Sequence, residues 1–219
     1  MIDHIIFDFN GTLFNDEEFH FQAWDQVIQE LTGQRLTQEI LNNMTGKNNK
    51  QIVQMIKNDI SDQQNEYYSL YKEELYRKIV LNNPDKMHLS DGAITLFEQL
   101  KELNIPFNIA SASILENIEF FIKIFELDKW FDPTKIIYDN GDYLDKQQMF
   151  IDASKNINCD VNNALVFEDS KSGIKWAKNV GATVIAIGDN SKETLYKQLG
   201  VISIINDFTN FNLKSYINM

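Results

Sequence analysis

The stretch HIIFDFNGTL, residues 4–13, decides the fold that this sequence predicts. A short apolar run leads directly into Asp8, and a turn that contains Gly11 follows it. Such a run is typical of a strand that is buried on both faces of a parallel sheet. Ligands bind beyond the carboxyl ends of these strands, which is where Asp8 stands. An aspartate beside a tight turn is also often a simple turn former, so this position alone decides nothing about function.

Similar short apolar runs recur along the chain, with helix-period segments between them. The predicted strands are residues 4–8, 106–111, 135–138, 164–168, 183–187 and 201–205. The predicted helices between them are residues 91–103, 114–125, 146–156, 170–179 and 192–199. Three of these helices carry capping-box spacing at their starts: Ser113 with Glu116, Asp145 with Gln148, and Asn190 with Glu193. This alternation predicts an α/β fold with a Rossmann-like, mostly parallel sheet.

One long segment interrupts the alternation. Residues 17–31, 37–43, 48–60 and 62–81 have helical patterns, and no convincing strand lies among them. The segment returns to the sheet near Asn82-Asn83-Pro84, where the residue before proline favours a turn. We therefore predict a core of residues 1–14 and 84–219 with an inserted all-helical cap domain, residues 15–83.

Composition narrows the classes of partner. The 219 residues include 20 Lys and Arg against 32 Asp and Glu, so the net charge is −12. This charge argues against binding to nucleic acid or to an anionic membrane surface. The single cysteine, Cys159, excludes an internal disulfide framework and suits a reducing compartment. We expect a soluble cytoplasmic protein, most simply a monomer, with a small-molecule partner.

Polar residues follow three other predicted strands or begin a helix near them. Ser111-Ala112-Ser113 places two hydroxyls at a strand end, Lys146 stands in the first turn of a helix, and Glu168-Asp169-Ser170 closes a buried strand. Each signal has an ordinary reading as a cap, a solvated lysine or a turn. Together with Asp8 they supply a carboxylate nucleophile, hydroxyl donors, a cation and oxygen ligands for a hard metal ion. That combination points to phosphoryl transfer with Mg²⁺.

In order and spacing, Asp8-Phe9-Asn10-Gly11-Thr12, Ser111, Lys146 and Glu168-Asp169-Ser170 resemble the four motifs of the haloacid dehalogenase superfamily. The helical insertion resembles the small cap of the beta-phosphoglucomutase and phosphoglycolate phosphatase branch. Within it, His20-Phe21-Gln22-Ala23-Trp24 is similar to the His-x-x-Ala-Trp stretch of phosphoglucomutase-like caps. The resemblance covers the whole chain and implies a hydrolase that acts on a small phosphorylated metabolite.

The resemblance also implies roles for individual residues. Asp8 becomes the nucleophile that forms an aspartyl phosphate, and Asn10 and Lys146 are the other catalytic candidates. The implied Mg²⁺ ligands are Asp8, the Asn10 backbone carbonyl, Asp169, and Glu168 as a ligand or in the surrounding shell. The residues expected to bind the phosphate or the rest of the substrate are Gly11, Thr12, Ser111, Ala112, His20, Lys47 and Lys50.

Asn10 is the main departure from the family pattern. Phosphatases of the superfamily carry a second aspartate there, which protonates the leaving alkoxide and then activates water. An amide cannot transfer that proton, and loss of general acid–base catalysis typically costs about 10²- to 10⁴-fold in rate. The chain is then a slow or differently assisted phosphatase, a branch with other chemistry, or a protein that binds phosphorylated metabolites without turnover.

Two further departures from the family pattern bear on the alternative activities. Residues 145–150 lack the Lys-Pro-x-Pro-Asp run of the branch, and residues 44–50 lack the arginine that phosphoglucomutase-like caps present to a second phosphate. A phosphomutase therefore ranks below a hydrolase. Carbon–halogen hydrolysis tolerates Asn10 but needs no Mg²⁺, and the Glu168-Asp169 pair argues against it. Carbon–phosphorus cleavage needs a cap lysine that forms a Schiff base, for which Lys47 and Lys50 are minor candidates.

Overall fold

A single six-stranded sheet lies at the centre of this computed structural model, which describes residues 2–44 and 46–217. All its described strand pairs are parallel, and the order across the sheet is β3-β2-β1-β4-β5-β6. In chain order the strands are β1 His4–Phe7, β2 Phe107–Ile114, β3 Ile137–Asp139, β4 Ala164–Glu168, β5 Thr183–Ile187 and β6 Ser203–Ile205. The prediction of an α/β fold with a parallel sheet is confirmed.

Nine helices follow the chain order among the described residues. Four follow the first strand in one run, before α5: α1 Glu17–Thr32, α2 Gln38–Met44, α3 Asn49–Ile56 and α4 Asp62–Leu81. The other five alternate with the strands: α5 Ala93–Glu102, α6 Leu115–Phe125, α7 Lys146–Asn156, α8 Lys171–Asn179 and α9 Glu193–Gln198. Parallel strands need such crossover helices, because the chain must return to the same edge of the sheet before each new strand begins.

The chain divides into two compact units. The sheet unit contains Met1–Asn15 and Leu89–Met219, and the helical unit contains Asp16–His88. The predicted boundaries stood at residues 14/15 and 83/84, so the returning boundary lies a few residues later than the Asn-Asn-Pro turn. Among the described residues, no helix combines the length and the apolar character that crossing a bilayer requires.

Neighbouring residues of the central strands β1 and β4 belong to two different buried clusters. Phe7 of β1 is fully buried and stacks on Phe167, its register partner in β4, with ring centroids 5.3 Å apart. Edge-to-face contacts surround the Phe7 ring, from Phe97, Phe107, Phe131 and Phe208. The neighbouring residues Ile6 and Val166 belong to another buried cluster, with Phe150 of α7 and Ala177 of α8. Alternate residues of a strand point to opposite faces, so β1 and β4 need apolar residues throughout.

Two helices of the helical unit begin with capping boxes. Asn48 and Gln51 form a capping box at α3, and Ser61 and Gln64 form one at α4. These reciprocal bonds satisfy backbone N–H groups that have no partner within the helix. The predicted helix over residues 48–60 is shorter in the structure, because Lys57 adopts extended backbone and ends α3 at Ile56.

Ser113 is a second correction to the sequence prediction. Its spacing to Glu116 predicted a capping box, but β2 continues to Ile114, and Ile114 is the residue that precedes α6. Asp145 does accept a hydrogen bond at the start of α7, from the backbone N–H of Gln147 at 2.8 Å. Gln148 binds Asp152 instead of completing a capping box there.

We predict that Phe7→Ala destabilises the sheet unit by about 3 to 5 kcal/mol, because it removes the ring that the other phenylalanines of this cluster contact. Urea unfolding should show a lower midpoint with little change in slope. Leu144→Ala is the control, since this leucine is fully exposed and its removal should leave the midpoint unchanged. A loss below about 1 kcal/mol for Phe7→Ala would contradict the central role of this ring.

Candidate active site

Two carboxylates stand side by side where β1 and β4 end. Asp8 follows β1 directly, and its backbone N–H donates to the carbonyl of Phe167 at 3.0 Å. Glu168 is the last residue of β4. The parallel register between the two strands therefore places these acids at the same edge of the sheet. Both side chains are at least nine-tenths buried.

Lys146 brings a positive charge to this pair. As the first residue of α7, it donates from Nζ to Asp8 Oδ1 at 2.5 Å and to Glu168 Oε1 at 3.0 Å. Its side chain is only 5% exposed, so the ammonium depends on these carboxylates for the solvation that water would otherwise give. Lys146 therefore lies beside both strand-end acids, and its catalytic role stays a prediction.

The charged side chains at the ends of β1 and β4 shift one another's pKa values. Burial raises the pKa of Asp8 to about 7, despite the opposing attraction of Lys146, and the charge of Glu168 adds to the rise. Burial disfavours the Lys146 ammonium, but the two acids outweigh that effect and raise its pKa above the usual value. Two carboxylates in contact with one ammonium therefore leave excess negative charge, which favours a bound cation.

The Glu168 carboxylate is held from several directions. Besides Lys146, it accepts hydrogen bonds from the backbone N–H of Ser170 at 2.7 Å and from the Ser170 hydroxyl at 2.9 Å. A Cβ on Gly173, in the first turn of α8, would lie 2.1 Å from this carboxylate. Glycine is therefore needed there for the helix start to approach the acid, and the approach places a negative charge at a helix N-terminus.

Asp169 lies against the loop that follows β1. A Cβ on Gly11 would approach Asp169 Oδ2 to 2.4 Å, and Gly11 also has a φ of +75°. Both constraints require glycine at this position. The Asp169 backbone carbonyl accepts a 2.5 Å hydrogen bond from the hydroxyl of Tyr196, a positioning contact that the sequence analysis missed. Burial and the charges of Glu168 and Asp8 raise the pKa of Asp169 well above its usual value.

These acids form a candidate metal centre. One oxygen from each of Asp8, Glu168 and Asp169 lies within 4.8 Å of the other two. Hard cations such as Mg²⁺ prefer carboxylate and carbonyl oxygens, so the donor set fits the predicted ion. Glu168 already accepts bonds from Lys146 and Ser170, which leaves Asp8 and Asp169 as the acids better suited to direct ligation.

The Asn10 side chain is tied to the end of β2. Its Oδ1 accepts hydrogen bonds from the Ser113 hydroxyl at 2.6 Å and from the Ser111 hydroxyl at 3.4 Å. The Ser113 backbone N–H donates in turn to Ser111 Oγ at 3.2 Å. Ser113, which the sequence analysis treated as a strand-end hydroxyl or a helix cap, therefore orients the residue that departs from the family pattern.

Two phosphate-binding candidates of the sheet unit remain, Thr12 and Ala112, and they differ in burial. Thr12 is fully buried, and its Oγ1 is a side-chain oxygen without a hydrogen-bond partner among the described residues. Ala112 is exposed within β2. An unsatisfied buried hydroxyl is costly, so Thr12 is the position where a bound oxyanion would contribute most.

In the helical unit, the two lysines predicted from sequence are exposed. Lys47 donates from Nζ to the backbone carbonyl of Asn43, and Lys50 forms an ion pair with Glu66. Both contacts lie on the surface of the helical unit. Their role in substrate binding stays a prediction.

A buried polar cluster in the helical unit was not predicted beyond His20. The His20 ring stacks on Tyr76 with centroids 4.1 Å apart, its Nε2 lies 3.2 Å from Asp16 Oδ2, and its Nδ1 lies 2.6 Å from Lys72 Nζ. The Tyr76 hydroxyl donates to the same Asp16 oxygen at 2.5 Å. We name Asp16, His20, Lys72, Glu73 and Tyr76 the His20 cluster.

Glu73 is the anion that balances Lys72. It accepts from Lys72 Nζ at 2.9 Å and from Asn49 Nδ2 at 2.6 Å. Burial opposes its ionisation, but the charges of Lys72 and His20 and these hydrogen bonds lower the pKa of Glu73 to about 2. The helix period places Lys72 and Tyr76 on one face of α4, yet their meeting with His20 of α1 is a long-range contact that no local pattern indicates.

Comparison with known families gives a consistent assignment. Residues 5–187 match the haloacid dehalogenase-like hydrolase family. A crystal structure of a HAD hydrolase, family IA, variant 3, from Entamoeba histolytica superposes with a TM-score of 0.91 at 34% identity, and covers 98% of this chain and 97% of that one. The match includes the strands and helices that carry all four strand-end motifs.

Curated relatives include two phosphatases. The phosphorylated carbohydrates phosphatase of Thermotoga maritima is 22% identical over 189 residues, 82% of each protein. The bifunctional riboflavin kinase/FMN phosphatase of Arabidopsis thaliana is 29% identical over 156 residues, which are 69% of this chain but 38% of that longer protein.

We predict that Glu73→Gln destabilises the protein by about 3 to 5 kcal/mol at pH 7, because it leaves the Lys72 ammonium buried without its anion. The folded-state pKa of Glu73, about 2, lies below its ordinary value of 4.5. The stabilisation is therefore present above about pH 4.5 and is lost as the pH falls towards 2. Urea unfolding of both proteins at several pH values between 7 and 3 should show the difference shrinking.

The matched control is Glu74→Gln. Glu74 is the neighbouring residue, but it is exposed and pairs with exposed Lys78, so its removal should change stability little at any pH. A stability difference for Glu73→Gln that stays constant from pH 7 to pH 3 would contradict a charge-balancing role.

Proposed function

This chain belongs to the haloacid dehalogenase-like hydrolase family, and we propose that it is a Mg²⁺-dependent phosphatase that acts on a small phosphorylated metabolite through Asp8. The observation that carries this proposal is the buried contact of the Lys146 ammonium with Asp8 and Glu168, where β1 and β4 end. A solvated surface lysine would not be held this way.

Asp8 is the proposed nucleophile. A carboxylate oxygen of Asp8 attacks the phosphorus of the ester, the bond to the leaving oxygen breaks, and the alkoxide departs with a proton from water or a nearby group. Water then attacks the aspartyl phosphate, which regenerates the carboxylate and releases inorganic phosphate. Two steps replace one difficult displacement, and Lys146 fixes one Asp8 oxygen and offsets charge on the transferring group.

Mg²⁺ would be held by Asp8, Asp169 and the Asn10 backbone carbonyl, and bound there it would neutralise charge on the phosphoryl oxygens. Glu168 supports this arrangement by keeping Lys146 in place. Gly11 permits the close approach of the loop to Asp169. The Thr12 and Ser111 hydroxyls and the backbone N–H groups near Gly11 and Ala112 are the proposed donors to the phosphate.

We propose that the helical unit is the cap implied by the family resemblance and supplies substrate specificity, with His20, Lys47 and Lys50 as candidate contacts. Lys72 joins this set because it is a buried cation next to His20. The substrate class we favour is a sugar phosphate or another short organic phosphate. The names of the Thermotoga and Arabidopsis relatives, a phosphorylated carbohydrates phosphatase and a riboflavin kinase/FMN phosphatase, support a small phosphorylated metabolite.

A second candidate function follows from Asn10. Its amide oxygen accepts from Ser113 at 2.6 Å, so the residue is built into the site as a hydrogen-bond acceptor and has no carboxyl proton to give. A protein that binds a phosphorylated metabolite without rapid turnover would keep this arrangement. A phosphomutase is the nearest catalytic alternative, and it would transfer the phosphoryl group back to an intermediate instead of to water.

We predict that the protein with Mg²⁺ releases inorganic phosphate from at least one sugar or short organic phosphate, and that chelation of the metal abolishes the release. Asp8→Asn should reduce turnover to background, and Asp169→Asn should raise the Mg²⁺ concentration needed for half-maximal rate. A phosphate-release assay across a panel of metabolites measures both. Substrate binding without turnover would instead support the binding-protein alternative, and phosphoryl isomerisation would support the mutase.

We also predict that Asn10→Asp raises phosphate release by at least about tenfold, a cautious share of what general acid–base catalysis contributes. The gain should appear mainly in kcat, because the groups proposed to bind the phosphate in the ground state are unchanged. A new carboxyl group beside Asp8 must carry a proton to act as the acid, so the pH optimum should move towards acid.

The control for this change is the double variant Asp8→Asn with Asn10→Asp, which keeps the new acid but lacks the nucleophile and should be inactive. Steady-state rates over a range of pH compare the proteins. If Asn10→Asp is no faster at any pH while the parent turns over a substrate, Asn10 belongs to a different mechanism.

A further inference from the structure

A second group of potential metal ligands lies at the other end of β1. Asp3 directly precedes the strand, His4 is its first residue, and Cys159 lies in the loop after α7. One oxygen of Asp3, one ring nitrogen of His4 and the sulfur of Cys159 all lie within 4.8 Å of one another. His4 and Asp8 are four residue steps apart along extended chain, about 13 Å, so this group is distinct from the candidate active site.

The hydrogen bonds of His4 show which ring nitrogen faces the group. His4 is fully buried, and its Nε2 lies 2.9 Å from the Ser154 hydroxyl. Ser154 uses its own proton to bind the carbonyl of Phe150 at 3.0 Å, so its oxygen accepts the Nε2–H of His4. That leaves Nδ1 to face Asp3 Oδ1, 2.6 Å away.

This arrangement matches the surroundings of metal-binding histidines. Such a histidine usually donates its other ring N–H to a protein acceptor, which fixes the ring and directs the free nitrogen at the ion. Asp3 is fixed in a similar way, since its Oδ2 accepts from the Asn163 side chain at 3.0 Å while Oδ1 faces His4. Cys159 is tethered by its backbone N–H, which donates to the Ser154 carbonyl at 2.9 Å.

We propose that Asp3, His4 and Cys159 form a binding site for Zn²⁺ or a similar borderline-soft divalent cation, separate from the Mg²⁺ site. Carboxylate, imidazole and thiolate are the three ligand types that zinc uses in proteins. Tetrahedral zinc needs its nitrogen and oxygen ligands about 3.3 Å apart, so the present 2.6 Å must widen by about 0.7 Å. Asp3 can provide this movement because its side chain is 52% exposed. The same exposure leaves room for water as the fourth ligand.

Metal binding here would join the start of the sheet to the loop between α7 and β4. The ion replaces the proton shared by His4 Nδ1 and Asp3, and it displaces the thiol proton of Cys159, so no oxidation is involved. Two segments that are far apart in the sequence become cross-linked in the folded state only. Zn²⁺ should therefore raise the melting temperature of the protein.

The test is a Co²⁺ titration of the metal-stripped full-length chain in excess Mg²⁺ and a thiol-free reductant. Cys159 is the single cysteine of the sequence, so a near-ultraviolet thiolate-to-cobalt charge-transfer band reports this site alone. We expect the band to saturate at one equivalent and to disappear when Zn²⁺ is added. The oxygen ligands of the candidate active site cannot produce such a band.

Variants of the proposed ligands and of neighbouring residues test whether the metal binds at this site. Cys159→Ser should abolish the band, and both it and Asp3→Asn should weaken Zn²⁺ binding at least about tenfold. Ser154→Ala should keep the band but weaken binding by about 10- to 100-fold, because the His4 ring loses its anchor. Asp160→Asn, beside the site, and Asp8→Asn should both behave like the parent. Absence of the charge-transfer band in the parent, or an unchanged Zn²⁺ affinity in Cys159→Ser and Asp3→Asn, would overturn the proposal.

Discussion

Charge balance around the buried Lys146 ammonium is the constraint on which the arrangement of acids at the ends of β1 and β4 depends. The ammonium contacts Asp8 and Glu168, while Asp169 adds a third carboxylate to the group. Removing one partner from a buried ion pair typically costs about 3 to 5 kcal/mol, because the other charge is left without solvation. Burial raises the pKa values of Asp8 and Asp169, and the neighbouring carboxylates raise them further even with Lys146 in place. This concentration of buried acids favours a further cation.

The backbone makes this concentration of acids possible. Parallel pairing of β1 with β4 puts the ends of both strands at one edge, and the start of α7 delivers Lys146 to the same place. Gly11 and Gly173 then allow the loop after β1 and the first turn of α8 to approach the carboxylates of Asp169 and Glu168. A side chain at either glycine would push an acid out of position, so the two glycines belong to the site although they contribute no chemical group.

The sequence was sufficient for the parts of the structure that local patterns control. Continuous apolar runs predicted the six strands, and α7 begins at Lys146 as its N-terminal pattern indicated. Ser113 was misread because capping-box spacing is a local signal, whereas pairing with the neighbouring strand extends β2 to Ile114. The His20 cluster and the Tyr196 contact with Asp169 were missed for a related reason. They join side chains from separate helices or loops, and neither periodicity nor spacing reports which buried polar groups meet.

Asn10 is better understood through the same charge balance than as a lost catalytic group alone. An ionised aspartate there would add a fourth carboxylate next to a group in which Lys146 already faces three. The asparagine keeps a hydrogen-bond acceptor for Ser113 and Ser111 and a backbone carbonyl for a cation, but it adds no charge. In the mechanism we propose, the change removes the proton donor and leaves Asp8, Lys146 and the neighbouring acids in a less repulsive environment. Phosphate binding and phosphoryl capture would then depend on groups that are still present, whereas efficient release of the leaving group and of phosphate would depend on the one that is missing.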